Sequence, residues 1–420
     1  MPKNFYLIII VQSISGLGDH ALLIIAIARL QEMQAADWLI PILKLSFVLS
    51  YVFLAPMLGH IADAWNKVHV MQLSNFTKVV SALMLFFGID PVFVMLLAGF
   101  GAALYAPAKY GIITELLLPH QFVKANAYIE GSVVCAVIAG TVLGGFFVSP
   151  ALTSLSGTEI VSELIGTSSK FYAGMIMLLS IYATASALNL WITHVGVDYP
   201  PHSFHPVEIT LRFIKDNKVL WNDSIGRISM AITALLWGIG ASLQLIVLRW
   251  AEESLGLGLD ESAYLQGFAA FGLIAGALLA SRYVSLQNSL RIIPVGILLG
   301  FTPIFLSTVG SIFLAIPILV MSGVLLGLFL IPMNALLQHR GHSLLTSGRS
   351  IAVQGFNENA GILITLGVYT LATTYKVSPI DLLVGLGVIV VFVLTIMSIA
   401  TRGLSVEVAP RKNFDEGTMK

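Results

Sequence analysis

A few charged and amide side chains interrupt long apolar runs in this chain, and those are the positions at which it can do chemistry. Asp19 stands deep in the first apolar run, directly after Gly16 and Gly18. Lys44, Lys78 and Lys109 fall inside three later runs, with Gln12, Gln72, Asn75, Tyr105 and Tyr110 nearby in helical register. The second part of the chain carries Gln244, Arg249, Gln266, Asn334, Gln338, Gln354, Asn357, Glu358 and Asn359 in the same kind of setting. An ionised group at mid-membrane costs roughly 2.5–3.5 kcal/mol, so each of these needs a reason to be there. Asp19 fits a carboxylate that binds substrate or an ion, or one that pairs with a lysine. Lys109 fits a phosphate contact, or a side chain that snorkels to the interface. Lys44 snorkels outward, whereas Lys78 lies deeper. Glu358 and Asn359 mirror Asn126 and Glu130, and such a set fits helix bracing as well as a binding site.

Bond-making chemistry finds no support in these residues. The nine histidines show no ligand spacing, and none begins an H-x-x-x-x-D acyltransferase pattern. Cys135 is the single cysteine, which excludes an intrachain disulfide and a cysteine-built metal site. No catalytic residue, metal or cofactor is therefore expected. The polar groups support recognition and passage.

The elements that must carry them are membrane helices. Of 420 residues, 57% are hydrophobic and only 10% charged, against about 25% charged in a soluble domain. Apolar runs such as 5–29 and 382–400 exceed the roughly 18 residues that cross a bilayer as a helix. Twelve spans are expected, near 5–30, 38–62, 69–88, 91–114, 126–149 and 171–194, then 225–250, 263–284, 291–310, 312–338, 350–374 and 380–401. The first is read as a span and not as a cleaved leader, because Gly16 to His20 interrupt it and it is too long. Asp19 lies fourteen residues past Phe5, about 21 Å along a helix at ~1.5 Å per residue.

Fifteen of the 22 basic residues fall at one side if the N-terminus is cytoplasmic, which places both termini there by the positive-inside rule. Zero net charge gives no reason to expect nucleic acid as a partner. The organisation read from this is an N-terminal six-helix half over 1–194 and a central cytoplasmic loop over 195–224. A C-terminal six-helix half over 225–401 and a tail over 402–420 follow. Within the loop, Glu208–Asn217 is compatible with a short surface helix. The halves echo one another: Tyr105-Ala106-Pro107 closes the fourth span, and Leu330-Ile331-Pro332-Met333-Asn334 closes the tenth. Paired, proline-marked segments of this kind point to a transporter built from repeats.

Between the second and third spans, Gly59, Asp63 and Lys67 form a pattern that resembles the G-x-x-x-D-x-x-x-[RK] loop of the major facilitator superfamily, where it serves gating. Five further strings extend the likeness. They are Gly18-Asp19-His20-Ala21-Leu22-Leu23, Tyr105-Ala106-Pro107-Ala108-Lys109-Tyr110-Gly111-Ile112, Val123-Lys124-Ala125-Asn126, Pro332-Met333-Asn334-Ala335-Leu336-Leu337-Gln338 and Ala352-Val353-Gln354. Together they resemble the lysophospholipid transporter family of that superfamily, from Gln12 to about Thr370.

The resemblance implies an all-α membrane protein with the major facilitator fold. It implies movement of lysophosphatidylethanolamine and related lysolipids from the outer to the inner leaflet of a bacterial inner membrane. A separate acyltransferase/acyl-carrier-protein synthetase would then restore the missing chain. Asp19 would attract the ethanolamine ammonium, and a lysine or arginine the phosphate. Lys78, Lys109, Tyr105, Gln244, Arg249, Asn334, Gln354 and Glu358 complete the expected binding set.

Two positions depart from the family pattern. His20 stands where members have Asn after the aspartate, and Gln244 stands where members have an arginine in the seventh span. Arg249, five residues on, is rotated by about 140° from that place. The competing reading is a proton-coupled drug or metabolite transporter of the same superfamily, with Asp19 and Glu130 or Glu358 as the proton site.

Overall fold

A computed structural model describes residues 1–35, 39–149, 152, 171–193, 205–257, 259–404 and 406. The apolar runs fold as α1 (Lys3–Glu32), α2 (Leu39–Phe53), α3 (Ala55–Ala64), α4 (Lys67–Phe86), α5 (Pro91–Leu116), α6 (Phe122–Phe147) and α7 (Tyr172–Asn189). After a connecting helix α8 (Pro206–Asn222) come α9 (Ser224–Leu255), α10 (Leu259–Tyr283), α11 (Ile293–Ser307), α12 (Ile312–Leu344), α13 (Ser347–Thr374) and α14 (Pro379–Ala400). Side-chain caps start several of them. Asn66, Asp90 and Asp223 each accept a backbone N–H of the first turn, satisfying donors that a helix start leaves open.

Among the described residues, nine helices are long and apolar enough to cross a membrane, and the bent pair α2–α3, counted as one span, brings the number to ten. α4 and α13 occupy the third and eleventh expected places but carry too many polar groups to qualify by composition. Those groups include Gln72, Asn75 and Lys78 on one helix, and Gln354, Asn357 and Glu358 on the other. The two helices that look least like membrane spans are thus the ones that bring polarity into the bundle.

Three local expectations change. The second span is not one helix: it bends by 61° between Phe53 and Ala55. Pro56 sits in the first turn of α3, where its ring and missing N–H are tolerated, while a continuous helix through it would lose a bond. Pro107 and Pro332 do the reverse. Each lies inside an unbroken helix, so neither closes a span. The connecting helix is also longer than Glu208–Asn217, because Ile209, Phe213 and Leu220 bury one continuous face. Residues 195–204 of the expected loop and 407–420 of the expected tail lie outside the described residues.

In the first half, α1 packs on α6 and α7, and α4 on α5 and α7. In the second half, α10 packs on α12, α11 on α14, and α9 on α13. The halves meet where α3 and α5 touch α13 and where α6 touches α10 and α12. The α10–α12 contact is a reciprocal glycine ladder. A methyl group added at Gly272 or Gly276 would run into the carbonyl oxygens of Val320 or Val324, and one at Gly323 or Gly327 into those of Ala269 or Leu273. Small residues four apart let backbones approach this closely in lipid.

Gly323→Leu should therefore cost more than the 1–3 kcal/mol typical of core overpacking, because backbone and not a mobile side chain stands in the way. Gly240→Ala, with open space at the same position of its residue, should leave the melting temperature in detergent unchanged or slightly raised. Equal melting curves for the two variants would contradict the ladder.

Candidate functional site

The buried polar residues form two groups. In the first half, the Asp19 carboxylate faces the Lys78 ammonium at 2.6 Å. Tyr182 donates its hydroxyl to the other Asp19 oxygen at 2.9 Å. Lys78 donates also to the Ser15 hydroxyl at 2.8 Å, and Ser15 donates to Asn75 at 3.0 Å. The Tyr105 ring lies 5.9 Å from the same ammonium. The lysine side chain is 3% exposed and the aspartate 14%. Asp19 thus stands in an ion pair, with Lys78 as the partner.

Gly18 serves this pair by leaving room. A Cβ there would sit 2.6 Å from the Tyr182 ring, so only glycine lets the tyrosine reach Asp19. α1 runs without a break through Gly16 and Gly18.

The second group joins the halves. Asn126 on α6 and Gln338 on α12 exchange amide hydrogen bonds of 2.9 and 3.0 Å. About one turn deeper, Glu130 accepts from Asn334 and from Tyr110, each at 3.4 Å. Gln354 donates to Glu358 at 2.8 Å along α13. Lys109 holds its ammonium 4.0 Å from the centre of the Tyr110 ring. Asn334 Oδ1 and Gln354 Oε1 are buried without a hydrogen-bond partner, as is the Tyr105 hydroxyl beside the first group. Polar atoms shielded from both water and protein partners are expensive unless something else occupies the site.

Gln244 and Arg249 are not part of this assembly. Gln244 bonds Gln266 at 2.9 Å. Arg249 lies about 37 Å along α9 from Ser224, at ~1.5 Å per residue, and pairs with Glu253 at 2.6 Å.

A separate groove of about 560 Å³ lies between α2 and α5, lined by apolar side chains including Phe53, Met84, Phe93 and Phe100. Its one hydroxyl, that of Ser50, is spent on the Leu96 carbonyl. Such a lining suits a hydrocarbon chain and not a headgroup.

The contacts at the α8 end hold the halves together there. A Cβ on Gly59 would sit 2.8 Å from the Ala352 Cβ, so α3 lies against the start of α13. Lys67 pairs with Glu115 at 3.1 Å, both side chains almost fully buried. The side chain of Asp63 lies outside the described residues. Arg349 donates to both oxygens of Asp216 on α8, and Arg340 grips Asp223 through two bonds of 2.8 and 2.7 Å. Ala55, Phe213, Leu220, Met230, Leu337, Ala352 and Val353 pack beneath these pairs as one apolar cluster.

Residues 8–364 match the Major Facilitator Superfamily model. A protein of Serratia proteamaculans named lysophospholipid transporter LplT is 35% identical over 373 residues, covering 89% of each chain. The protein of that name from Pectobacterium carotovorum is 33% identical over 381 residues, 90% of this chain and 89% of its own. This chain belongs to the major facilitator superfamily and, within it, to the lysophospholipid transporter family. Solved structures carry the same fold. A bacterial homologue of the iron transporter ferroportin in an outward-facing state superposes with a TM-score of 0.70 at 14% identity, over 95% of this chain and 99% of that one. The Escherichia coli fucose:proton symporter gives 0.72 at 11%, over 94% and 97%.

Family membership does not by itself bring out Tyr182 or the Asn126–Gln338 exchange. Tyr182 stands in an apolar helix, where it reads as packing. The amide pair joins residues 212 apart in sequence, and no local spacing announces such a partner.

Asp19→Asn should leave Lys78 as an uncompensated buried cation, and breaking such a pair costs about 3–5 kcal/mol. The double variant Asp19→Asn with Lys78→Met should regain most of the lost thermal stability. Equal losses in single and double variants would show that the pair is not structural.

Outside the membrane interior, the Arg340 guanidinium bonded to Asp223 holds that carboxyl below the usual aspartate range. A carboxyl lowered by folding stabilises the fold above its unfolded value, and the contribution fades as pH falls through the folded one. Acidification below about pH 4 should lower the melting temperature by a step that Asp223→Asn removes. Parallel curves for wild type and variant across that range would count against the latch.

Proposed function

We propose that this chain is a lysophospholipid transporter. It takes lysophosphatidylethanolamine and related single-chain lipids from the outer to the inner leaflet of a bacterial inner membrane, with the α8 end and both termini in the cytoplasm. The observation that carries this reading is the 33–35% identity to proteins named lysophospholipid transporter over about nine-tenths of the chain. The interior supports it in kind: buried cations, carboxylates and amides lie inside the first half and between the halves, while many large apolar side chains are exposed on the outside. A lysolipid needs both surroundings at once, a screened path for its head and hydrocarbon for its tail.

With the α8 end cytoplasmic, the closed contacts at Gly59, Asn126 and Glu130 lie on the inner side. A headgroup then enters from the outer leaflet, and rocking of the halves passes it inward. A separate acyltransferase/acyl-carrier-protein synthetase consumes the product, and this drain suffices to drive net flow.

The reading is tested in vesicles reconstituted with purified protein and labelled lysophosphatidylethanolamine. Label should move between leaflets several-fold faster than in protein-free vesicles, and an uncoupler should not slow it. Movement that disappears with the proton gradient would favour a proton-coupled transporter instead. No movement at all would overturn the proposal.

A further inference from the structure

The connecting helix α8 carries two stripes of side chains. Ile209, Phe213, Asp216 and Leu220 recur at spacings of four, three and four, and all are buried. Val207, Leu211, Ile214 and Trp221 recur on a second stripe about 150° round the helix, 75%, 55%, 45% and 37% exposed in turn. Lys218 stands in that second stripe and Lys215 at its border. Both lysines are exposed, and neither forms an ion pair among the described residues.

Contacts to α13 fix the height of α8 on the bundle. Asp216 receives Arg349, and Phe213 meets the Phe356 ring edge-on with centres 5.5 Å apart. Asn217 accepts from Asn357 at 3.1 Å, and Trp221 donates its indole N–H to the Asn357 amide oxygen, also at 3.1 Å. Arg349 and Asn357 are about 3 and 15 Å from the start of α13 at ~1.5 Å per residue, so α8 lies along its first turns and not beneath its end. The 33-residue α12 is about 50 Å long, more than a bilayer of about 40–45 Å with its headgroups. α8 packs by Leu220 in one cluster with Leu337, about 10 Å before the end of α12, which is the level of the headgroups and the first chain carbons. The edge of α8 that reaches Asn357 faces the membrane interior. The opposite edge carries Glu208, Arg212 and Lys215, with Val219 as its one apolar member, and the exposed apolar stripe lies between the two edges, turned away from the bundle.

We infer that this outer face of α8 binds anionic phospholipids of the leaflet at its end of the bundle. Val207, Leu211 and Ile214 enter the boundary between headgroups and chains, and Lys215 and Lys218 take headgroup phosphates. Amphipathic helices of this make bury their apolar face roughly 5–10 Å into that boundary, and each basic residue beside it adds attraction to a negative surface. A face at this height opens on lipid and not on water, which sets the bilayer above a cytosolic protein as the occupant. Through its buried stripe the same helix touches α3 of the first half and α12 and α13 of the second, so the leaflet holds an element that bridges the halves.

The full-length protein in phosphatidylcholine vesicles, with and without phosphatidylglycerol, tests this. Cys135 is the single cysteine, so Cys135→Ser leaves a background for one spin label at a time. A label at Leu211→Cys or Ile214→Cys should collide several-fold more often with oxygen, which concentrates in lipid, than with a water-soluble nickel chelate. A label at Glu208→Cys should show the reverse. In unlabelled protein, hydrogen exchange of the amides of 206–222 should slow several-fold when phosphatidylglycerol is added, and the double variant Lys215→Gln with Lys218→Gln should lose that slowing. A stripe label that meets the chelate as freely as the one at Glu208→Cys would overturn the inference. So would a label shielded from both reagents, the mark of a second copy or another protein on the face. Wild-type exchange indifferent to phosphatidylglycerol, or slowing that the double variant keeps in full, would overturn it as well.

Discussion

A charge inside hydrocarbon is tolerated only where something neutralises or solvates it, and this condition organises the whole protein. The first half meets it internally, by setting Lys78 against Asp19 and closing the pair with Tyr182, Ser15 and Asn75. The two halves meet it jointly at Glu130, which takes donors from α5 and α12. These arrangements fix which helices must be neighbours. α4 and α13 are the most polar helices of their halves, and they lie at the interior because their side chains have nowhere else to be placed.

The same condition separates scaffold from site. Neutral pairs make a rigid background whose electrostatic energy does not change when a zwitterion arrives. Charges left without a partner respond to one. A transporter for an amphiphile needs both: a background that keeps water and ions from being drawn through, and a small number of groups whose needs are met only by the cargo.

The architecture was legible in the sequence because its cause is local. Apolar run length, basic residues at loops and proline positions are each read within twenty or thirty residues. They gave the all-α class and the order of helices. The depth of Asp19 was legible for the same reason. Its partner was not, since Lys44, Lys78 and Lys109 all fall inside apolar runs, and only packing decides which one comes within reach. Arg249 shows how little spacing says about a partner. Five residues from Gln244 looks close in sequence, but on a helix it moves the charge toward the far end, where Glu253 waits one turn away. The bend at Leu54 and the unbroken helix at Pro107 likewise depend on which neighbours can supply a displaced backbone bond.

The glycine ladder between α10 and α12 acts as a fulcrum. Backbones in direct contact cannot slide past one another, so the pair tilts as a single beam about Gly323 and Gly327, near the middle of the 33-residue α12. Gln338 lies eleven residues beyond Gly327, about 17 Å at ~1.5 Å per residue, and a tilt of about ten degrees swings it by about 3 Å. That is as far as the amide bonds to Asn126 are long. A small rotation of the beam would therefore part this amide pair in a single step. The opposite end of α12 would move the other way, so the same ladder sets the swing at both ends of the helix.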